Sequence, residues 1–400
     1  MQVNKYIKVV YSFFEELSKQ HNYAILHHVE RVFYIDDDID FIVDCDKESM
    51  LAFVKEFIKT NDCFIANHFT IDRSVYRFDI VFFENTNLFK IELDCACNSK
   101  QRDLLKLNVE LLLKNSLKIN LGHYTFNKIS NKNEIDYYIK KKAFKKTNII
   151  EFLPYFKSLD EKITKEELLK KYTYWINYFS SFPFKIKFYY TKITLLTIRF
   201  LEKPSITIAF LGPDGSGKST IIDKINKKSL LIINYYFHLK PIKNKNPDLQ
   251  ETVTNPHHQS IYSKPKSYFK LLYFIYQYNI GWLKNIIPLK IKSSLIIFDR
   301  YYDDLLVDNN RYRYGGNIKI AKLARIFIPQ PDLYFVLTAD PDIIYKRKQE
   351  VPFEELERQI KAYNQLSDNK CYYQIDVNRS PDEIVKEILI IMMKKKNERY

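Results

Sequence analysis

Glycine is scarce in this sequence, with seven residues among 400. Three of the seven, Gly212, Gly215 and Gly217, fall within the short stretch LGPDGSGKST from Leu211 to Thr220. Because glycine has no side chain and tolerates positive φ, such a cluster marks a place where the backbone turns tightly or approaches a ligand closely. The scarcity elsewhere makes this loop the first candidate for a functional site.

Cysteine and long apolar runs are also limited. The five cysteines are an odd number without a metal-ligand spacing, and no secretory leader opens the sequence, so we expect a reducing, cytoplasmic location. Cys95 and Cys97 could form a redox or metal pair, but alternate residues of a strand also share one face. No uninterrupted apolar run approaches the roughly 18 to 20 residues of a membrane span. These features predict a soluble protein, or one peripheral to the inner face of the membrane.

Acidic residues are outnumbered, with 48 Asp and Glu against 63 Lys and Arg, giving a net charge of +15. This excess favours phosphorylated substrates, an anionic membrane or nucleic acid as partners. Lysine is over-used together with isoleucine, asparagine and tyrosine, so much of the charge can equally lie on solvated faces. A chain of 400 residues exceeds what one core usually supports, which predicts two domains and a connector.

Three segments differ in pattern: an α+β domain over 1–130, a basic, aromatic helical connector over 131–203, and an α/β domain over 204–400. In the first segment, apolar spacing predicts helices at Val3–Lys19 and Lys47–Lys59 and strands at Ile39–Val43, Val75–Glu84 and Leu88–Cys95. The third segment alternates strands and helices, which predicts a parallel sheet covered on both faces.

The connector combines aromatic side chains with lysine and has little acid. Its aromatic residues are Trp175, Tyr178, Phe179, Phe182, Phe184, Phe188, Tyr189 and Tyr190, and they alternate with Lys185, Lys187, Lys192 and Arg199. Such a mixture is found where a helix lies on an anionic bilayer or contacts single-stranded nucleic acid, of which nucleic acid is the less favoured. A helix that packs its aromatic face on a neighbouring domain explains it equally well. The sequence leaves the oligomeric state open, and a homodimer is one possibility.

The glycine loop lies between a strand and a helix. An apolar run from Ser205 to Leu211 leads into it, and Thr220 to Ile225 continues with helical spacing, the context in which Gly-x4-Gly-Lys-Ser holds the phosphates of a nucleotide donor such as ATP. Backbone N–H groups surround the phosphates, Lys218 neutralises their charge and the Ser219 hydroxyl ligates Mg²⁺. The residues expected to contact the donor are Gly212, Asp214, Gly215, Ser216, Gly217, Lys218, Ser219 and Thr220.

A second strand, Ser294 to Asp299, ends in an aspartate that we expect at the same crevice. Asp299 is predicted to hold a metal-bound water or to orient the attacking oxygen, and Arg300 to pair with a phosphate of the acceptor. The alternative is an aspartate that caps a turn at the strand end.

Cations that could close over the phosphates follow further along the chain. Asp340 is expected to cap a helix that ends in Lys346-Arg347-Lys348, and Arg358 lies on the next helix, Glu354 to Leu366. These side chains could form a lid that stabilises charge on the transferring group. A solvated helix end is the alternative.

With these residues in place, Ile206 to about Met393 resembles the thymidylate kinase group of P-loop kinases. The matching pieces are Gly212 to Thr220, with an aspartate at the third loop position, Phe298-Asp299-Arg300-Tyr301, Pro331-Asp332-Leu333, Asp340-Pro341 and Asp376 to Pro381. The resemblance implies a five-stranded parallel sheet flanked by helices, ATP and Mg²⁺ at the loop, and catalytic roles for Lys218, Asp299, Arg300 and Arg347.

The acceptor side departs from that group. The stretches Phe237 to Pro241 and Ser267 to Tyr273 lack the arginines that thymidylate kinases carry there. This variant looks like kinase-like proteins associated with surface polysaccharide synthesis, which implies a nucleotide, sugar or sugar phosphate as acceptor. The residues that would line its pocket, each of them equally open to a structural role, are His238, Lys240, Asp303, Asp304, Arg311 and Arg313.

The first segment resembles the nucleotidyltransferase fold, through Tyr23 to His28 and then Asp38 and Asp40. In that fold two carboxylates separated by one residue share Mg²⁺ with a third from an adjacent strand, for which Asp94 is the best candidate and Asp79 the second. His27 and His28 stand where the fold has a glycine-serine pair for the triphosphate. The domain is therefore expected to be either an active transferase or a substrate-binding relic.

The sequence favours an ATP- and Mg²⁺-dependent kinase joined to a nucleotidyltransferase-like domain. The alternatives are a nucleotide-gated binding or scaffold protein without turnover, and a bifunctional kinase and nucleotidyltransferase. The enzyme is favoured over the scaffold because the sequence retains the expected catalytic residues Asp299, Arg300 and Arg347.

Overall fold

A computed structural model describes residues 2–35, 37–72, 74–97, 105, 107–160, 162–228, 230–231, 233–242, 260–368 and 370–399. The chain divides into two compact units, Met1–Glu202 and Lys203–Tyr400. The first unit therefore includes nearly all of the segment expected to be a connector, whose aromatic helices contribute to the core of that unit.

The first unit is a mixed sheet with helices. Its strands are β1 (Tyr23–Ile25), β2 (Asp38–Val43), β3 (Phe64–Asp72), β4 (Val75–Glu84), β5 (Asn87–Cys97), β6 (Ser116–Leu121) and β7 (Tyr124–Ile129), in the order β3-β4-β5-β2-β1-β7-β6. Its helices are α1 (Gln2–Gln20), α2 (Lys47–Thr60), α3 (Val109–Lys114), α4 (Asn131–Lys145), α5 (Leu153–Leu159), α6 (Lys165–Ser180) and α7 (Phe182–Glu202). The two helices and three strands expected from apolar spacing are confirmed, and no end is shifted by more than two residues.

The pairing of three strands brings charged residues of this unit together. Strands β2 and β5 are parallel, with Asp40 beside Asp94, and β4 is antiparallel to β5, with Arg77 opposite Asp94. Because successive side chains of a strand point to opposite faces, Asp38 and Asp40 share a face of β2. Helix α7 packs on β3.

The second unit contains a five-stranded sheet in which every pairing is parallel, which confirms the predicted sheet. Its strands are β8 (Ile206–Leu211), β9 (Ile233–His238), β10 (Ser294–Asp299), β11 (Leu333–Thr338) and β12 (Tyr372–Asp376), in the order β12-β11-β8-β10-β9. Its helices are α8 (Lys218–Lys227), α9 (Lys264–Gly281), α10 (Ile287–Lys290), α11 (Asp303–Val307), α12 (Ile318–Ala324), α13 (Pro341–Arg347), α14 (Phe353–Asn364) and α15 (Pro381–Asn397).

Burial explains why these strands read as continuous apolar runs. All six residues of β8 and of β11 are buried, as expected for central parallel strands with helices on both faces. Local caps set the helix starts: the Asp340 side chain accepts from the backbone N–H of Asp342, and Ser380 and Glu383 form a capping box. The cap at Asp340 is predicted by the sequence and confirmed.

Among the helices in the described part of the chain, none is both long and apolar enough to cross a bilayer.

Candidate functional site

The glycine loop between β8 and α8 has a backbone that side chains would obstruct. Gly212, Gly215 and Gly217 have φ values of 141°, 84° and 82°, a region that residues with a Cβ rarely adopt. A Cβ at Gly212 would lie 2.4 Å from the carbonyl oxygen of Leu337, which excludes any side chain at that position. The loop is therefore shaped by glycine at each turn, as a main-chain anion cradle requires.

Lys218 begins α8 and folds back over the loop. Its Nζ donates hydrogen bonds to the carbonyl oxygens of Gly212 and Pro213, at 2.9 and 2.8 Å, and the residue is only 7% exposed. Burial is the main reason that the pKa of Lys218 falls to about 8, and the nearby Arg300 guanidinium acts in the same direction. The loop thus holds an ammonium group whose positive charge is not fully compensated by its carbonyl partners.

The start of α8 is open to solvent beside this ammonium. Ser219 and Thr220 are exposed in its first turn, whereas Ser216 is buried within the loop. The first N–H groups of a helix have no partner within the helix, and the helix dipole adds partial positive charge there. Backbone donors, one lysine and two exposed hydroxyls therefore converge at one end of the sheet.

Asp299 ends β10, the strand next to β8, and pairs in register with Phe210 and His238. Its Oδ2 accepts a hydrogen bond of 3.0 Å from the hydroxyl of Tyr236, and its buried Oδ1 has no partner among the described residues. Burial opposes ionisation of Asp299, but the neighbouring His238 and Lys218 outweigh it and keep its pKa below the ordinary value. An ionised carboxylate with one uncommitted oxygen thus lies near the glycine loop.

Arg300 joins this strand end to the loop. It is 5% exposed, has a φ of 69°, and donates its backbone N–H to Phe210 of β8. Its guanidinium donates to Asp304, at 2.5 Å, and to Asp214 of the glycine loop, which also accepts from Arg311. Burial alone would lower the pKa of Arg300, but the two carboxylates raise it above its ordinary value. A non-glycine residue held at positive φ in an ion-pair network is typical of a functional site.

Two residues expected in the acceptor pocket lie inside the fold. Asp304 is completely buried and accepts a 2.9 Å hydrogen bond from the Tyr363 hydroxyl in addition to its pair with Arg300. Asp303 is also buried and pairs with Arg325 at 2.8 Å. Both carboxylates have their charge compensated by arginine, so their contacts are those of structural residues.

Other expected acceptor residues lie closer to the surface. His238 is exposed beside Asp299, and the ammonium of Lys240 lies 4.3 Å from the ring centroid of Phe274. Burial, with a smaller contribution from Lys270, lowers the pKa of Lys240 to about 8. The guanidinium of Arg313 lies over the Tyr262 ring, 4.1 Å from its centroid.

The expected lid cations differ in their contacts. Arg347 is exposed and donates to the carbonyl of Val377 at 3.3 Å, whereas Arg358 is held by Glu355 at 2.7 Å. The next residue after Arg347, Lys348, lies against the loop: its Cβ is 3.0 Å from the position that a Cβ on Gly215 would occupy. The segment after α13 therefore contacts the glycine loop.

The first unit contains a separate carboxylate group. Asp38, Asp40 and Asp94 each offer one oxygen, and these oxygens lie within 4.8 Å of one another. Asp79, the second choice for the third carboxylate, instead accepts a 2.7 Å hydrogen bond from Asn67, and burial raises its pKa to about 6. The structure thus brings Asp94, not Asp79, beside the pair on β2.

Cations already contact all three carboxylates: Nη2 of Arg77 lies 3.7 Å from Asp38, and the other two have closer cationic partners. Asp40 accepts from Lys141 and, at 2.9 Å, from the Tyr137 hydroxyl, and it lies 2.7 Å from Nε2 of His27. Burial alone would raise the pKa of Asp40, but His27 and Lys141 hold it well below its usual range. Asp94 accepts two hydrogen bonds from one arginine, Arg77, at 2.6 and 2.9 Å, yet burial still raises its pKa to about 6.

These basic partners are the residues that the sequence did not identify. In the sequence, Arg77 is a charged residue within an apolar strand, a pattern that indicates an internal ion pair. Lys141 belongs to a run of lysines, which is typical of a solvated face. No sequence pattern indicates that Tyr236 contacts Asp299.

Comparison with known proteins does not assign the chain to a family. A scan against protein-family models finds no match, and a search of curated proteins finds none. Similar solved structures include the thymidylate kinase of Ehrlichia chaffeensis, 18% identical with a TM-score of 0.34, covering 47% of this chain and 98% of that one. The thymidylate kinase of Candida albicans is 21% identical with a TM-score of 0.36, covering 48% of this chain and 93% of its own. At these values, function has to be inferred from the sites themselves.

Proposed function

We propose that residues 203–400 form a P-loop kinase that transfers a phosphoryl group from ATP to a small acceptor. The observation that carries this proposal is the glycine cradle closed by the buried ammonium of Lys218. Lys218 is held by carbonyl oxygens, and none of the described carboxylates forms an ion pair with it. Phosphate oxygens would therefore be stronger acceptors for its ammonium than its present partners are. The exposed first turn of α8 supplies further donors to the same anion.

Mg²⁺ has suitable donors beside the cradle. The uncommitted Oδ1 of Asp299 and the exposed hydroxyl of Ser219 are oxygen ligands of the kind this ion prefers. When bound, Mg²⁺ would supply charge neutralisation between phosphate oxygens.

The protein's own residues would position the reactants and compensate charge. Lys218 would turn its ammonium from the loop carbonyls to the β- and γ-phosphate oxygens. Arg300 and Arg311, both held near the loop by Asp214, would lie where negative charge grows on the transferring group. Asp299 would orient the acceptor oxygen for in-line attack. Arg347, whose present contact is the Val377 carbonyl, would have to move to take part.

The acceptor would bind on the β9 side of Asp299. His238, Lys240 and Lys270 provide basic groups there, and Phe274 and Tyr273 provide rings. A nucleotide, sugar or sugar phosphate suits such a mixture, since rings stack on bases or sugars and ammonium groups pair with phosphate. A nucleotide-gated scaffold remains the alternative from another class.

We expect acceptor-dependent formation of ADP when the protein is incubated with labelled ATP, Mg²⁺ and a panel of nucleoside monophosphates, sugars and sugar phosphates. At least one acceptor should raise ADP release well above hydrolysis in water and become labelled itself. Chromatography of the labelled products identifies the acceptor. Slow hydrolysis that no member of the panel accelerates would favour the scaffold.

A second candidate function belongs to the first unit: metal-dependent nucleotidyl transfer at Asp38, Asp40 and Asp94. The donors suit a divalent cation in type and spacing, although the ion would have to displace Lys141 from Asp40, and Arg77 from Asp38 and Asp94. A cavity of about 270 Å³ adjoins Asp38, and the basic groups in its lining that suit a polyphosphate include His27, His28, Arg31, Lys141 and Lys142. These groups could replace the missing glycine-serine pair. When bound, the metal would neutralise phosphate charge and activate the attacking oxygen.

For this candidate we expect nucleotide-free protein to bind one Mn²⁺ that the Asp38→Asn, Asp94→Asn double variant does not bind. The reason is that both substitutions replace carboxylates by weaker neutral ligands while keeping side-chain volume. Loss of the free Mn²⁺ signal in electron paramagnetic resonance measures the binding. Asp136→Asn, at a partly exposed carboxylate of α4 that pairs with Lys171, is the control. Equal Mn²⁺ binding by wild type and double variant would leave the substrate-binding relic as the better description.

A further inference from the structure

A second, larger cavity in the first unit adjoins the carboxylates but has a different character. It has a volume of about 460 Å³ and lies between α4, α7 and the sheet. Its walls are mainly apolar and include Leu107 near the sheet, Phe144 on α4, and Phe188 and Leu195 on α7. Protein interiors are normally close-packed, so an apolar cleft of ligand size is typical of a binding site.

Two ammonium groups line this cavity without a committed partner. Lys145 and Lys192 are exposed, and neither forms an ion pair within the described ranges. The deeper cations are occupied: Lys141 pairs with Asp40, and Arg199 donates to the Thr70 carbonyl at 2.9 Å. The ammonium groups of Lys145 and Lys192 therefore place positive charge beside the apolar walls of the cavity.

A buried hydroxyl on the same helix points to a polar group of the ligand. Thr191 lines the cavity, is 1% exposed, and its Oγ1 has no hydrogen-bond partner among the described residues. Buried hydroxyls are nearly always hydrogen-bonded, because leaving one unpaired costs stability. Lys192, the next residue, also lines the cavity, so the Thr191 hydroxyl and the Lys192 ammonium could both donate to the same anionic group of a ligand.

From these three observations we propose that the cavity binds an anionic amphiphile, with its hydrocarbon or aromatic body between α4 and α7 and its anionic group at Lys145, Lys192 and Thr191. The inference extends the second candidate function, since such a ligand would lie beside Asp38, Asp40 and Asp94 as the acceptor of transfer. Binding itself requires neither a metal ion nor catalysis, so it can be tested separately from that function.

The test uses the full chain in EDTA without nucleotide, with 11-(dansylamino)undecanoic acid as fluorescent probe. We expect saturable, blue-shifted binding at one site, and displacement by dodecyl phosphate or laurate at lower concentration than by dodecyltrimethylammonium or AMP. The Lys145→Glu, Lys192→Glu double variant should bind the probe at least about tenfold more weakly, because attraction becomes repulsion at two exposed positions. Thr191→Val, which keeps the side-chain shape, should weaken binding about threefold.

Two controls locate the probe. Lys185→Glu makes the same charge change at an exposed position of α7 that does not line the cavity, and Ile193→Asp alters the exposed apolar side of the helix; both should bind as wild type does. Equal affinity in wild type and the double lysine variant would overturn the proposal. So would displacement by the cationic amphiphile or by AMP as readily as by dodecyl phosphate, or loss of binding in Ile193→Asp alone.

Discussion

Lys218→Ala is expected to weaken ATP binding roughly 100-fold, since two or more charge-assisted hydrogen bonds to phosphate are lost together. The ammonium is buried in the loop and donates to two of its backbone carbonyls, so it already lies at the place proposed for the phosphates. Isothermal titration calorimetry with ATP and Mg²⁺ measures the effect directly.

Lys224→Ala is the matched control for this prediction. Lys224 lies on the same helix, pairs with Asp382 at 2.9 Å and is partly exposed, so its loss should leave ATP affinity within about twofold. Lys218→Met keeps the aliphatic stem and tests whether the charge itself matters. If Lys218→Ala binds ATP as tightly as wild type, the loop is not a triphosphate site and the kinase proposal fails.

The donor half of this site could be predicted from sequence because its signals are local. The strand Ile206–Leu211, the three glycines and the start of α8 are contiguous, so spacing alone fixes their relation. The parallel sheet follows from alternation of apolar runs with helices, for the same reason.

The charge network around the loop could not be predicted, because its members are distant in the chain. Arg300 and Arg311 reach Asp214 across 86 and 97 positions, and nothing near Asp214 in sequence indicates either partner. Asp304 shows the same limit: the sequence left a ligand contact and a structural role equally open, and the residue is buried against Arg300 and Tyr363.

The first unit shows the same limit. The spacing of Asp38 and Asp40 indicated a metal site, but the compensating Lys141 lies 101 positions from Asp40. The sequence predicts a connector at helix α7 because aromatic residues alternate there with lysine and acidic residues are few. One side lines the cavity and another is exposed, and sequence periodicity alone does not distinguish them.

Asp299→Asn is expected to reduce phosphoryl transfer by a factor of about 100 to 1000 while leaving ATP affinity within about threefold. The substitution keeps the volume of the side chain and an oxygen that can accept from Tyr236, so the strand end should retain its structure. It removes the negative charge and the uncommitted carboxylate oxygen that would orient the acceptor or hold Mg²⁺. Steady-state turnover with the acceptor identified from the panel, together with calorimetry, separates the two effects.

Asp340→Asn provides a matched control, because Asp340 also follows a central strand of the sheet but its side chain caps α13. Asparagine caps helices as well as aspartate does, so turnover should stay near that of wild type. Unchanged turnover in Asp299→Asn would remove the proposed role of this carboxylate. Loss of ATP binding together with turnover would instead mean that Asp299 acts on the donor, through Lys218 and the loop. Another group at the end of β9 would then have to orient the acceptor. His238, which is exposed beside Asp299, is the candidate for that role.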